Sequence, residues 1–155
     1  MKHLLRLVLA ALVIFLSCKT NSSTNQTKQV MATEETNAKQ TRAAVEKFNA
    51  AINQHDIDAV MNAMTDDCVF DNTNPPPDGT RFIGAKAVRA FWEKFFASNP
   101  DAVFEAEEIF ATGNRCVVRW IYRKTRDGKP WHLRGVDVFR IRDGKVAEKL
   151  AYVKG

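Results

Sequence analysis

Asp137 is the residue whose setting most demands a chemical explanation. It lies in the stretch Trp131 to Ile141, where strand alternation places Trp131, Leu133, Gly135, Asp137, Phe139 and Ile141 on one face. His132, Arg134, Val136, Val138 and Arg140 fall on the other. A carboxylate among large apolar side chains must find a specific partner, or desolvation will disfavour its charged form. A protonated Asp in such a site can donate a hydrogen bond to a developing oxyanion. On the neighbouring stretch Cys116 to Lys124, one row reads Cys116, Val118, Trp120 and Tyr122, with Arg119 and Arg123 opposite. Trp120, Tyr122, Trp131 and Phe139 are thus candidate walls for a pocket that takes a flat or apolar ligand, or else they fill the core.

The elements that must position these side chains follow from periodicity. Ala44, Val45, Phe48, Ala51 and Ile52 recur at helical spacing within Glu34 to Asn53. Gln54-His55-Asp56 breaks that pattern, and Asp56 can cap a second short helix carrying Ile57, Val60, Met61 and Met64, closed by Thr65-Asp66-Asp67. Cys68 to Asp71 reads as a short strand. Asn72 to Gly79, with three consecutive prolines, must be an extended loop. A third helix follows Gly84 and runs to about Ala97 on the stripe Val88, Phe91, Trp92 and Phe95, ended by Ser98-Asn99-Pro100. Four strands remain, Val103 to Ala111, Arg115 to Thr125, Pro130 to Ile141 and Val146 to Val153. Glycine-bearing turns at Thr112-Gly113-Asn114, Asp127-Gly128-Lys129 and Asp143-Gly144-Lys145 join them as an antiparallel meander. The expected fold is α+β, a cone-shaped, curved antiparallel sheet wrapped on three helices that bury their stripes against one face.

The amino terminus reads differently. Lys2, His3 and Arg6 precede an apolar run from Leu7 to Leu16 that fits a secretory signal over residues 1–17 and is short for a membrane span. Phe15-Leu16-Ser17-Cys18 resembles the bacterial lipobox, although Phe15 replaces its usual leucine, which makes Cys18 the expected lipidation site. The polar stretch that follows, residues 18–35, reads as a flexible tether, leaving 36–155 as the folded domain. The expected location is therefore the cell envelope of a bacterium, with the protein exported and membrane-anchored. The formal net charge of +5 over 155 residues falls further if Lys2 and Arg6 are removed, and the basic residues are scattered, so nucleic acid is not an expected partner. Cys68 and Cys116 lie in strands beside apolar residues and read as buried free thiols, although export would permit a disulfide. No Cys and His spacing suggests zinc, and the absence of a dinucleotide fingerprint or phosphate loop implies no cofactor.

Taken in order, several phrases resemble the nuclear transport factor 2 superfamily and, within it, the SnoaL-like group. They are Val45 to Asn53 with Asp56-Ile57-Asp58-Ala59, Thr65 to Phe70, Gly84 to Arg89, and Asp137-Val138-Phe139-Arg140-Ile141 with Asp143 to Val146. The resemblance spans about Thr36 to Gly155. Its fold hosts isomerases, cyclases, dehydratases, epoxide hydrolases and binding modules, so activity has to be carried over residue by residue. The resemblance puts Asp137 where ketosteroid isomerases hold an oxyanion-hole acid, and within the Asp-hydrophobic-Phe-Arg phrase of SnoaL-type cyclases. It puts Asp71 or Asn72 at the isomerase base, while Phe48 replaces the isomerase tyrosine and cannot donate. The acids of the epoxide hydrolases are missing from Val118-Arg119-Trp120 and Leu150-Ala151-Tyr152.

The functional expectation is a lipid-anchored domain that binds a small apolar or aromatic molecule. Asp137 and Asp71 are the candidate catalytic pair for isomerase, cyclase or dehydratase chemistry, and Asn72, Trp120, Tyr122, Trp131 and Phe139 are the candidate ligand contacts. The alternative is a non-catalytic association domain. Either way a homodimer is expected through the outer row His132, Arg134, Val136 and Val138.

Overall fold

A computed structural model describes residues 2–154 of the chain, with side chains from Thr24 onward. The expected signal segment 1–17 and Cys18 lie outside the residues whose side chains are described. The chain divides into two units after Thr36. Helix α1 (Lys2–Asn53) begins in the first unit, where the side chains from Thr24 to Thr36 are all exposed. Among the described residues, no helix is long and apolar enough to cross a membrane.

The second unit, from Asn37, holds the remaining elements. These are α2 (Ile57–Asn62), β1 (Met64–Asp71), β2 (Arg81–Ile83), α3 (Ala85–Ser98), β3 (Val103–Thr112), β4 (Arg115–Arg126), β5 (Lys129–Arg142) and β6 (Lys145–Val153). The carboxy-terminal part of α1 buries Val45, Phe48, Ala51 and Ile52, the stripe that helical spacing requires. Asp56 caps α2, accepting from the Ala59 amide at 2.9 Å. Helix α3 buries Val88, Trp92 and Phe96 and holds Phe91 and Phe95 half-buried beside them. The side chain of Thr41 ties α1 to the β3–β4 turn by donating to the Gly113 carbonyl at 2.7 Å.

The six strands form one sheet in the order β2-β1-β6-β5-β4-β3. The meander β3 to β6 is antiparallel, as its short turns demand. Two features lie beyond what the turns dictate. Strand β1 runs parallel to β6, and the short β2 extends the sheet beyond β1. No hairpin links β1 to β6, so only packing selects that partner. Thr65-Asp66-Asp67 also belongs to β1, and α2 stops at Asn62. Register shifts between Ala106 and Glu108 in β3, and between Arg140 and Ile141 in β5, interrupt the ladder at points where bulges bend strands.

The outer face of the sheet is organised by register. Phe110 pairs with Val117, Val117 with Val138, and Val138 with Leu150, so an apolar stripe runs across four strands. Phe110 is 65 % exposed and Val117 37 %. Charged clusters flank the stripe, with Arg119 and Arg134 on Glu107 at one side and Arg115 and Arg140 on Glu148 at the other. Of the expected outer row, His132 and Arg134 are exposed and Val136 and Val138 half-buried.

Candidate functional site

Asp137 in β5 is 4 % exposed and Lys149 in β6 is 6 % exposed. Asp137 faces Ala151 and Phe139 faces Lys149, so the two charges are diagonal neighbours across one strand pair. A lysine is long enough to close that diagonal, and Lys149 Nζ lies 2.8 Å from Asp137 Oδ2. Each group supplies the counter-charge that burial requires of the other. The ammonium also lies 5.0 Å from the Phe70 ring centroid and 5.8 Å from that of Phe139, where ring faces attract cations. Asp137 has thus found a specific partner in Lys149.

A chamber of about 20 Å³ adjoins the pair, bordered by Phe48, Trp92, Phe104, Val118 and Trp120. That space suits roughly one water-sized group. Three polar atoms on its lining residues are buried without a hydrogen-bond partner: Asp137 Oδ1, Trp92 Nε1 and Trp120 Nε1. Two donors and one acceptor complement a hydroxyl oxygen, which can accept twice and donate once. Unpartnered groups of this kind are costly, and so their presence on one chamber is informative.

Trp92, Phe104, Trp120 and Lys149 also border a larger outer chamber of about 320 Å³. Its walls are aromatic, including Phe70, Phe91, Phe95, Tyr122 and Trp131, and its rim is polar, with Asn72, Thr73, Asn74, Asn99 and Lys124. Asn99 Oδ1 accepts from Lys124 Nζ at 2.8 Å and from the Tyr122 hydroxyl at 3.2 Å. Burial, reinforced by the negative charge of Asp101, pushes the Tyr122 phenol up to about 12. The proline loop reaches the rim through a turn that only glycine permits. Gly79 has φ +74°, and a Cβ there would lie 1.7 Å from the Asn72 carbonyl oxygen.

Asp137 and Trp120 therefore border the inner chamber and Asn72, Trp120, Tyr122 and Trp131 the outer one, two neighbouring chambers that share Trp92, Phe104, Trp120 and Lys149 as walls. Phe139 does not join them. It is fully buried, packs edge-on to Phe48 at 5.9 Å and lines neither chamber, because the strand has passed into the packed core two residues beyond Asp137. Asp71 also lies apart. Alternation along β1 turns Phe70 inward and Asp71 outward, where the Arg81 guanidinium grips it with bonds of 2.7 and 2.9 Å. The structure does not bring Asp71 and Asp137 together.

Lys149, Lys124 and Asn99 enter the site without having been anticipated. Lys149 carried a readable signal, since alternation puts it on the row Ala147, Lys149, Ala151, where a long cation stands between small apolar residues. Cys68 and Cys116 are buried and free, and burial pushes the Cys116 thiol up to about 11. Among the described residues, no three His, Cys, Asp or Glu side chains gather closely enough to hold a metal ion.

Residues 45–149 match the model of the SnoaL-like domain family. An NTF2-like protein of unknown function from Mesorhizobium loti is 35% identical, covers 76% of this chain and 93% of its own, and superposes with a TM-score of 0.66. A putative polyketide cyclase from Sinorhizobium meliloti shares the fold at 24% identity and TM-score 0.60, covering 71% of this chain and 94% of its own. An LEH-like epoxide hydrolase from M. tuberculosis does so at 21% identity and TM-score 0.63, covering 76% and 84%. No curated protein matches the chain. The matched family model, the similarity to the M. loti protein and the curved sheet closed over its helices agree: the chain belongs to the SnoaL-like domain family and has its NTF2-like fold.

Proposed function

We propose that this domain binds a flat, mostly apolar molecule in the two neighbouring chambers and that Asp137, held by Lys149, moves a proton on it next to a carbonyl group. The observation that carries this reading is the trio of unpartnered polar atoms on the inner chamber. Asp137 Oδ1 takes a proton from the carbon beside the carbonyl, and the electron pair of the broken C–H bond forms a C=C bond as the carbonyl π pair moves to oxygen. The enolate oxygen is met by indole N–H groups and the Lys149 ammonium, donors that are in place before charge develops. Return of the proton to another carbon completes an isomerisation. The same enolate serves a cyclisation or dehydration, and no step requires a cofactor. Asp71 has no part in this version, because its oxygens are already taken up by Arg81.

Hydrogen exchange tests the reading with 2-tetralone as the probe ketone. The protein should stabilise itself thermally on binding it and accelerate deuterium uptake at the carbon beside the carbonyl in D2O, followed by NMR. Asp137→Asn should bind but lose most of the acceleration, by about a hundredfold or more. Binding with no accelerated exchange would leave a binding module; no binding would remove the pocket reading.

Two further features complete the proposal. The self-complementary outer face, an apolar stripe between charged clusters, supports a homodimer and is the observation that favours an association role. Wild-type protein should scatter light as a dimer at micromolar concentration, and Phe110→Asp should scatter as a monomer. A monomeric wild type at high micromolar concentration contradicts it. Cys18 supports attachment to a membrane through lipid, and Cys18→Ser should leave the membrane fraction or fail to mature. Unchanged fractionation of that variant would rule the anchor out.

A further inference from the structure

Two ammonium groups border the outer chamber, one at either end of a continuous run of rings. Phe70, Trp92, Phe95, Tyr122 and Trp131 follow one another with centroid separations of 5.3, 5.5, 6.0 and 6.0 Å. Lys149 stands 5.0 Å from the Phe70 centroid, and Lys124 stands 5.8 Å from that of Trp131. No carboxylate is among the side chains that line this chamber. The two cations differ in what neutralises them. Lys149 has Asp137 at 2.8 Å, whereas Lys124 donates to the neutral amide oxygen of Asn99, also at 2.8 Å.

The surroundings of Lys124 leave its charge largely uncompensated. Asp101, the acid that feels it, lies at the exposed surface and accepts from the Thr125 amide at 2.6 Å, where water screens it. The Arg126 guanidinium, 5.8 Å from the Trp131 ring, adds a second positive charge on that side, partly offset by Asp127 at 3.9 Å from it.

We propose that the ligand of this cavity is an aromatic anion, a planar ring system whose carboxylate or ionised phenol pairs with Lys124 at the mouth while its rings lie along the aromatic run. The proposal rests on the pocket reading above and adds the ligand's charge to it. A half-buried ammonium between ring faces attracts an anion more strongly than a fully solvated lysine does, because less water competes for it. A neutral ligand of the same shape would cover Lys124 without supplying a counter-charge, so selection also works against the neutral molecule.

The test compares 2-naphthoate with its neutral counterpart 2-naphthamide, each titrated into the protein and followed by calorimetry and by quenching of tryptophan fluorescence. Naphthoate should bind more tightly by about tenfold or more, an advantage that shrinks with added salt. Lys124→Met should erase the advantage by weakening naphthoate binding, with naphthamide bound at least as tightly as by the wild type, and Lys124→Arg should retain the advantage. Equal affinity for the two compounds, or an advantage that survives Lys124→Met, overturns the anion assignment and leaves the pocket standing. Loss of the advantage in Lys124→Arg overturns a role based on charge. Binding of neither compound overturns both the assignment and the pocket reading beneath it.

Discussion

Replacing Asp137 by leucine should destabilise the protein by about 3–5 kcal/mol, because it leaves the Lys149 ammonium buried without its counter-charge. Both partners are almost wholly shielded from water, and among the described residues the 2.8 Å bond between them is the only ion pair with this degree of burial on both sides. The double replacement Asp137→Leu with Lys149→Met should recover most of that loss, since removing both charges takes away the cost of desolvating either. Asp137→Asn is the milder change, about 1–3 kcal/mol, because the amide can still accept from Lys149 but carries no charge. Urea unfolding of the wild type, Asp137→Leu, Lys149→Met and the double variant measures the coupling. A double variant no more stable than Asp137→Leu alone would mean that the charge left behind is not the source of the loss.

The second large effect concerns Gly135, which stands two residues before Asp137 on the same inward row. A Cβ built there would meet Trp120 Cζ2 at 2.3 Å, Trp120 Cη2 at 2.4 Å and the Tyr152 carbonyl oxygen at 2.4 Å. Gly135 and Trp120 are also paired residues on adjacent strands, so the indole lies across the glycine and borders both chambers. Gly135→Ala should cost about 1–3 kcal/mol or somewhat more, by forcing apart β5, β6 and the Trp120 ring. Trp120→Phe in the same background should restore only part of the loss, because the contact with the Tyr152 backbone remains. Denaturant midpoints and the near-ultraviolet circular dichroism of tryptophan check this, and an unaltered midpoint for Gly135→Ala would show that the close contact can relax freely.

The separate fates of Asp137 and Asp71 show how far strand alternation reaches. Parity alone puts Asp137 inward, and the same parity, started from the buried Phe70, puts Asp71 outward, whereas the resemblance to isomerases leaves the base position open between Asp71 and Asn72. Asn72 faces the cavity because it is one residue further on. Phe139 shares the parity of Asp137 but not its role, since depth along the cone is invisible to a period of two. Gly135 could be read as a gap in an otherwise bulky row, but not as the seat of Trp120, which depends on the register of β4 against β5.

What the chain determined by itself is its local order. Helical spacing marked α3 and the carboxy-terminal part of α1, Asp56 marked a cap, and three glycine turns joined β3 to β6, because each of these signals acts between residues close in sequence. Tertiary structure decided the partners that no turn imposes. It set β1 parallel to β6, placed Lys149 on the diagonal from Asp137, and brought Asn99 and Lys124 to one rim. Such pairings depend on strand register, sheet curvature and the room left by large side chains. These are properties of the packed whole, and no short window of sequence carries them.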